Sequence, residues 1–395
     1  MRANSLAGDT VAGDTLAGDT VAGETGQAPP MSRRAVRMIR APILVMAGLA
    51  MAAGLLGGLA RLGLPAPGSA TDLPVAHGPL MVAALFGTVI GLERAVAMGG
   101  RWPHLAPILS GAAGILLIAG GDPVLASALS GAAAAVLLAG SLLVLRRHPA
   151  LHAAVLAGGC ACLLAGNLVW MAGPAVGDPM PWWIGFLVLV IAGERLELSR
   201  VLKPPPGRTA LFLAAAGLLL GGIALSSLWF DGKLALLGPG LLGMALWLAR
   251  YDIARRTIRQ SGLVRYVAAC LLAGYLWLGV AGLMAMAAPA GAAFVRDAVL
   301  HAIFLGFVLT MVFAHAPIIL PALLKVTVPY RPVFYAHVAL LHATLLLRVI
   351  ADLFGWVDLR AFAGLGNGAA ILVFAASTAW AAAHGRASTR SRNKA

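Results

Sequence analysis

Two imidazoles, His301 and His315, fall inside residues 294 to 320, a run long and apolar enough to cross a bilayer. A polar ring in hydrocarbon costs free energy unless it meets a partner. An intramembrane histidine is therefore either part of a site or a hydrogen-bonded contact between helices. At about 100° per residue the two rings return to within roughly 40° of one helix face, about 21 Å apart along the axis. His77 begins an earlier apolar run, about four residues in, and His301 lies about six or seven residues into its own. Both runs point the same way, so the two rings are expected at similar depth. Two imidazoles from separate helices, facing one flat cavity, are what axial ligation of a haem iron needs. Gly78, Met81, Phe304 and Gly306 are small or slender enough to line such a cavity. The competing readings are a boundary histidine in contact with water for His77 and a hydrogen bond to Asp297, one turn earlier, for His301.

A second group is expected towards the other side. His315 and His337 should lie at matching depth on either side of a reversal near Val326. With Glu93 or Glu194 they could form a metal site or a proton-handling group. His342 lies about 140° round its helix from His337 and faces something else. Alternatively, the Glu-Arg pairs sit at the water boundary and the histidines take up carbonyls freed by Pro317 and Pro321. Arg348 returns to within about 20° of the His337 face but lies nearer the opposite side. There it could pair with haem propionates, with Arg360 and Arg296 as competitors, or with Asp352 at i+4. Cys160 and Cys162 could hold a soft metal, or serve as small core residues.

The elements that must position these residues are set by composition. The 395 residues are 60% hydrophobic and 11% charged, with a mean hydropathy of +0.89, which exceeds ordinary soluble domains and indicates a polytopic, all-α membrane protein. Twelve spans are expected, at about 42–62, 74–97, 104–120, 124–145, 151–173, 181–201, 209–229, 233–250, 265–287, 294–320, 332–351 and 361–383. The formal net charge of +14 sits mainly in alternate links, which the positive-inside rule assigns to the cytoplasm together with both termini; no nucleic-acid patch is seen. Trp182, Trp183, Trp229 and Trp356 near outer boundaries, and Trp102 and Trp247 near inner ones, are read as interfacial anchors.

Residues 1–40 are expected to be a disordered low-complexity tail. The acidic repeat LAGDT VAGDT LAGDT VAGET cannot bury a core, and a basic juxtamembrane segment at Arg33, Arg34, Arg37 and Arg40 follows it. The transmembrane domain is placed at 41–384 and a basic cytoplasmic tail at 385–395. The pattern V-I-x-x-E-R ends the second span at Val89 to Arg94 and the sixth at Val190 to Arg195. That echo marks a four-helix repeat, with Val312 to His315 of the tenth span as its third member.

The segment His77-Gly78-Pro79-Leu80-Met81 resembles the H-G-x-x-M segment in the second helix of the haem-copper oxidase subunit I superfamily. There the histidine holds a low-spin haem with a second histidine from the tenth helix, here His301. Twelve helices in three groups of four, with the second, sixth and tenth lining pores, are likewise that superfamily's arrangement. Residues 181 to 229 contain no histidine, so the copper ligands of true oxidases are missing, and the tenth helix lacks their second outer histidine. The remainder is similar to the NnrS-type branch, associated with haem, copper and nitric oxide stress.

The resemblance implies a haem b, with copper possible, in a protein of the bacterial inner membrane. A redox, gas-binding or nitric oxide stress-related role follows, with an electron donor or gaseous ligand on the periplasmic side. No catalytic acid, base or nucleophile set stands out. The alternative is a transporter in which His77, His301, His315, His337, Glu93 and Glu194 line a proton- or ion-coupled path.

Overall fold

The computed structural model describes residues 33–65, 72–199, 206–228, 234–288 and 292–392; the acidic repeat and Trp229 lie outside them. Among the described residues there is no strand. The long helices, in chain order, are α1 (Arg33–Arg61), α2 (Leu73–Met98), α3 (Trp102–Ile118), α4 (Pro123–Arg147), α5 (Leu151–Ala172) and α6 (Met180–Leu198), then α7 (Arg208–Leu228), α8 (Leu234–Tyr251), α9 (Gly262–Ala287), α10 (Ala293–Leu324), α11 (Phe334–Phe354) and α12 (Val357–Arg392). They coincide with the expected spans. Ten are long and apolar enough to cross a membrane. The others are α3, which is shorter, and α6, which carries Glu194, Arg195 and Glu197 near its end.

The helices start and stop where local chemistry dictates. Asp122 caps α4 by accepting from the Val124 amide at 2.9 Å, with Pro123 at the first helical position. Gly173, at φ 87°, ends α5 in a conformation that side chains rarely adopt. Two boundaries differ from expectation. Helix α1 begins at Arg33 and carries Pro42 inside it, so the basic segment is helical. Helix α12 runs on to Arg392 because the Ala-rich stretch after residue 380 favours helix.

Sequential helices pack side by side, as short links require, and α1 closes the ring by touching both α10 and α12. Burial then sorts the helices. Of the most apolar stretch of each spanning helix, 61% is buried in α2 and 67% in α10, against 33 to 50% in the other eight. Helix α6 is buried nearly throughout from Trp183 to Leu196. The second, sixth and tenth helices thus form the inner layer, and α10 touches both of the others. Leu211, Leu218, Leu246, Leu276, Phe362 and Leu372 point outward. Apolar surface of that extent suits contact with a bilayer.

Two of the expected anchors are core residues. Trp183 is buried and donates to Asn167 Oδ1 at 3.0 Å, and Trp247 is buried and donates to the Arg208 carbonyl at 2.9 Å. An indole N–H that finds an acceptor can be buried, so position near a span end did not fix the role. Trp102 and Trp356 are exposed as expected.

Candidate functional site

The second turn of α2 and the third turn of α10 bring His77 and His301 together. Their ring centroids are 6.4 Å apart and their planes are within 16° of parallel. Each ring is fixed from behind by a main-chain carbonyl. His77 Nδ1 lies 2.6 Å from the Gly54 oxygen of α1, and His301 Nδ1 lies 2.8 Å from the Asp297 oxygen. A carbonyl oxygen can only accept, so both Nδ1 atoms carry the proton and both Nε2 atoms keep a lone pair. That is the tautomer a metal ligand needs, and the carbonyl behind it raises ligand basicity. An ion in line between two Nε2 atoms would set the centroids about 6.3 Å apart, from a metal-nitrogen distance of about 2.0 Å. Glycines make room for the first ring. A Cβ at Gly58 would lie 2.8 Å from His77 Cε1, and one at Gly54 would lie 2.7 Å from Met81 Sδ.

Directly after each histidine the helix widens into a π-helical segment, Leu80–Phe86 in α2 and Ala302–Leu309 in α10. Such segments are rare and shift the register of all that follows. The 100° per residue wheel therefore does not apply between His301 and His315.

Carboxylates occupy the arginines around the pair. Arg348 and Arg360 each lie 2.9 Å from Asp297 Oδ2, and Arg360 also binds Asp352 at 2.5 Å. Asp297 Oδ1 is 3.4 Å from His301 Nδ1. Two aspartates balance two arginines, which is how buried charge is tolerated. Arg348 Nε and Asp352 Oδ2 are left without a partner. The alternative pairing of Arg348 with Asp352 along α11 is not the one formed. Arg296 is ion-paired with Asp178.

The expected inner group separates into two. His337 is enclosed by Tyr266, Phe313, Phe334 and Phe374. Pro317 has no N–H, so the Phe313 carbonyl is freed, and the Tyr266 hydroxyl donates to it at 3.2 Å. The same oxygen is 3.0 Å from His337 Nε2, and Ser377 Oγ is 3.4 Å from Nδ1. The freed carbonyl is satisfied as expected, but by a tyrosine rather than by a histidine. His315 sits apart from this cage, with its Nδ1 2.7 Å from the Met311 oxygen, beside Glu194, Arg195 and Asp252. No interaction joins His315 to His337, and the metal pair expected of them is not formed. His342 accepts from Trp277 Nε1 at 2.8 Å, with the ring planes 8° apart.

The echoed Glu-Arg pairs meet each other. Arg94 of α2 is ion-paired with Glu194 of α6, and Glu93 lies beside both. Arg195 faces Asp252 across 3.8 Å, with both side chains buried. Asp252 and Tyr275 were not singled out from the sequence. The available signal for Asp252 was a lone acid within Arg250-Tyr251-Asp252-Ile253-Ala254-Arg255-Arg256. Burial pushes its carboxyl up from the usual range, and Arg195 offsets only part of that.

Among the described residues no three His, Cys, Asp or Glu side chains gather where one ion would sit. Cys160 and Cys162 are free and buried, and Cys160 Sγ contacts Ser141 Oγ at 3.2 Å.

Comparison with known proteins gives a single family. A family model described as a domain of unknown function, DUF8744, matches residues 40–383. The chain belongs to the DUF8744 family. No curated protein matches, and no solved structure matches.

Proposed function

We propose that this DUF8744 protein holds one b-type haem in the bacterial inner membrane, with His77 and His301 as the two axial ligands. One observation carries the reading. Two imidazoles from separate inner-layer helices lie with near-parallel planes and centroids 6.4 Å apart, each with Nδ1 on a main-chain carbonyl, which leaves the lone pair on Nε2. The resemblance of His77-Gly78-Pro79-Leu80-Met81 to the superfamily segment supports it. So does the inner layer of second, sixth and tenth helices. On this reading the chain has twelve spans in three groups of four, with both termini in the cytoplasm.

The chain's own groups do the positioning. The Gly54 and Asp297 carbonyls hold the ring orientation, and the Asp297–Arg348–Arg360–Asp352 network fixes the first turn of α10. Arg348 Nε is buried there without a partner and is a donor a propionate would find. A bound haem supplies one-electron chemistry and, if an axial ligand is displaced, a gas-binding position. A redox, gas-binding or nitric oxide stress role follows, with the electron donor or gas on the side where the pair lies.

The test is the reduced-minus-oxidised optical spectrum of protein purified after expression with ample haem, repeated on His77→Ala and His301→Ala. The expected result is a low-spin b-type spectrum lost in both variants. A colourless, metal-free preparation overturns the reading, and a colourless one holding copper would replace haem by a two-coordinate copper ion on the same ligands.

A further inference from the structure

Asp252, just after α8, presents an unusual inventory to the core. Its Oδ1 accepts from the Ala254 amide at 2.6 Å, while its Oδ2 is buried with no hydrogen-bond partner. Beside it the Tyr275 hydroxyl of α9 is also buried, near Asp252 and Arg195 but with neither at full hydrogen-bond geometry. His315 of α10 stands close enough to feel the Asp252 charge, without a hydrogen bond or ion pair to it. Its Nδ1 proton is spent on the Met311 carbonyl, so Nε2 offers only a lone pair. The nearest guanidinium, Arg195 Nε, is 3.8 Å from Asp252 Oδ2, too long for a hydrogen bond. Two acceptors and a single phenolic O–H cannot satisfy one another. Buried polar atoms left in that state are completed by a proton or by a water bringing two donors.

Charged side chains continue from the group towards a part-exposed ion pair. Glu194 and Arg195 are consecutive residues of α6, and Glu194 pairs with Arg94 at side chains that are 28% and 24% exposed. Glu93 of α2 lies against that pair. On the far side Arg208 of α7 adds positive charge, held by Ser199 and stacked on Trp247. Glu194 and Arg195 of α6, Arg208 of α7 and Tyr275 of α9 are the charged and titratable side chains that act on Asp252 or His315, and Glu93 and Arg94 of α2 act on Glu194. Arg195 and Arg208 also disfavour a metal cation here, leaving the proton as the species the donor set suits.

We propose that Asp252, Tyr275 and His315 form a buried proton-binding site, which trades one proton with water at the Arg-rich end of the bundle past the Arg94–Glu194 pair. On uptake, a hydronium ion outside gives up a proton and becomes water. The proton ends on Asp252 Oδ2, with the neutral His315 imidazole and the Tyr275 hydroxyl as its polar surroundings, and release reverses the step with no electron moved. The site is separate from the His77–His301 pair and does not depend on a haem being bound there.

The experiment is an infrared pH titration of the full-length protein in detergent, in H2O and D2O. It follows the carbonyl stretch of protonated carboxyl groups, which needs no chromophore. One deuterium-sensitive band should titrate, disappear in Asp252→Asn, and move its midpoint by about one pH unit or more in His315→Gln and Tyr275→Phe. If Asp252→Asn does not fold, the other two variants decide. A titrating carboxyl indifferent to both His315→Gln and Tyr275→Phe, or the absence of any such band, overturns the proposal.

Discussion

The two ends of the bundle hold buried polar groups under opposite terms. Around His77 and His301 the charged groups meet at direct ion-pair distance: both Nδ1 atoms lie on carbonyls, and Asp297 binds two arginines, one of which also holds Asp352, with Arg348 Nε and Asp352 Oδ2 left over. At the Arg-rich end Asp252 and Tyr275 are equally buried but leave polar atoms unmatched, and the nearest charges stand off by 3.8 Å or reach water. A network of direct ion pairs holds a geometry, whereas a carboxylate whose nearest cation stands off has capacity for a proton or a water. The first arrangement suits holding two ligands still, and the second suits an exchangeable occupant.

The comparison can be broken at its strongest point first. Replacing either His77 or His301 by alanine should abolish the low-spin optical spectrum while leaving the protein folded, as judged by circular dichroism. Next in size, Asp297→Asn leaves Arg348 without its carboxylate and Arg360 with half of its own. Removing one member of a buried pair should destabilise the fold by about 3–5 kcal/mol, read as a lowered unfolding midpoint in detergent. Tyr266→Phe should cost about 1–3 kcal/mol in the same assay, because the Phe313 carbonyl and His337 both lose their partner inside an aromatic cage. Smallest is Glu194→Gln, which weakens a part-exposed ion pair and should change stability by under about 1 kcal/mol. A large loss there would mean that the Arg-rich end is as tightly committed as the histidine end.

The positions of the helices were legible because uninterrupted apolar runs of bilayer length leave few alternatives. The pairing of His77 with His301 was legible too, since counting residues from a common boundary fixes depth regardless of rotation. Rotation was not legible. A wheel of 100° per residue places His301 and His315 on one face, but it assumes regular α-helix, and Ala302–Leu309 is π-helical. The Glu-Arg echo located two inner helix ends but not that Arg94 of one would bind Glu194 of the other. Asp252 escaped notice because a charged link reads as a solvated one. Only the packing of α6 and α9 against it shows that this acid is enclosed.

Helix α1 carries a last consequence. The Arg40 guanidinium is buried and donates to the Leu323 carbonyl at the end of α10, 283 residues later, at 3.2 Å. At ribosomal speeds of about 5–20 residues per second, that acceptor emerges roughly 15 to 60 s after the arginine that needs it. During synthesis the first helix must therefore wait, its cation at the membrane border, until the tenth arrives to seat it.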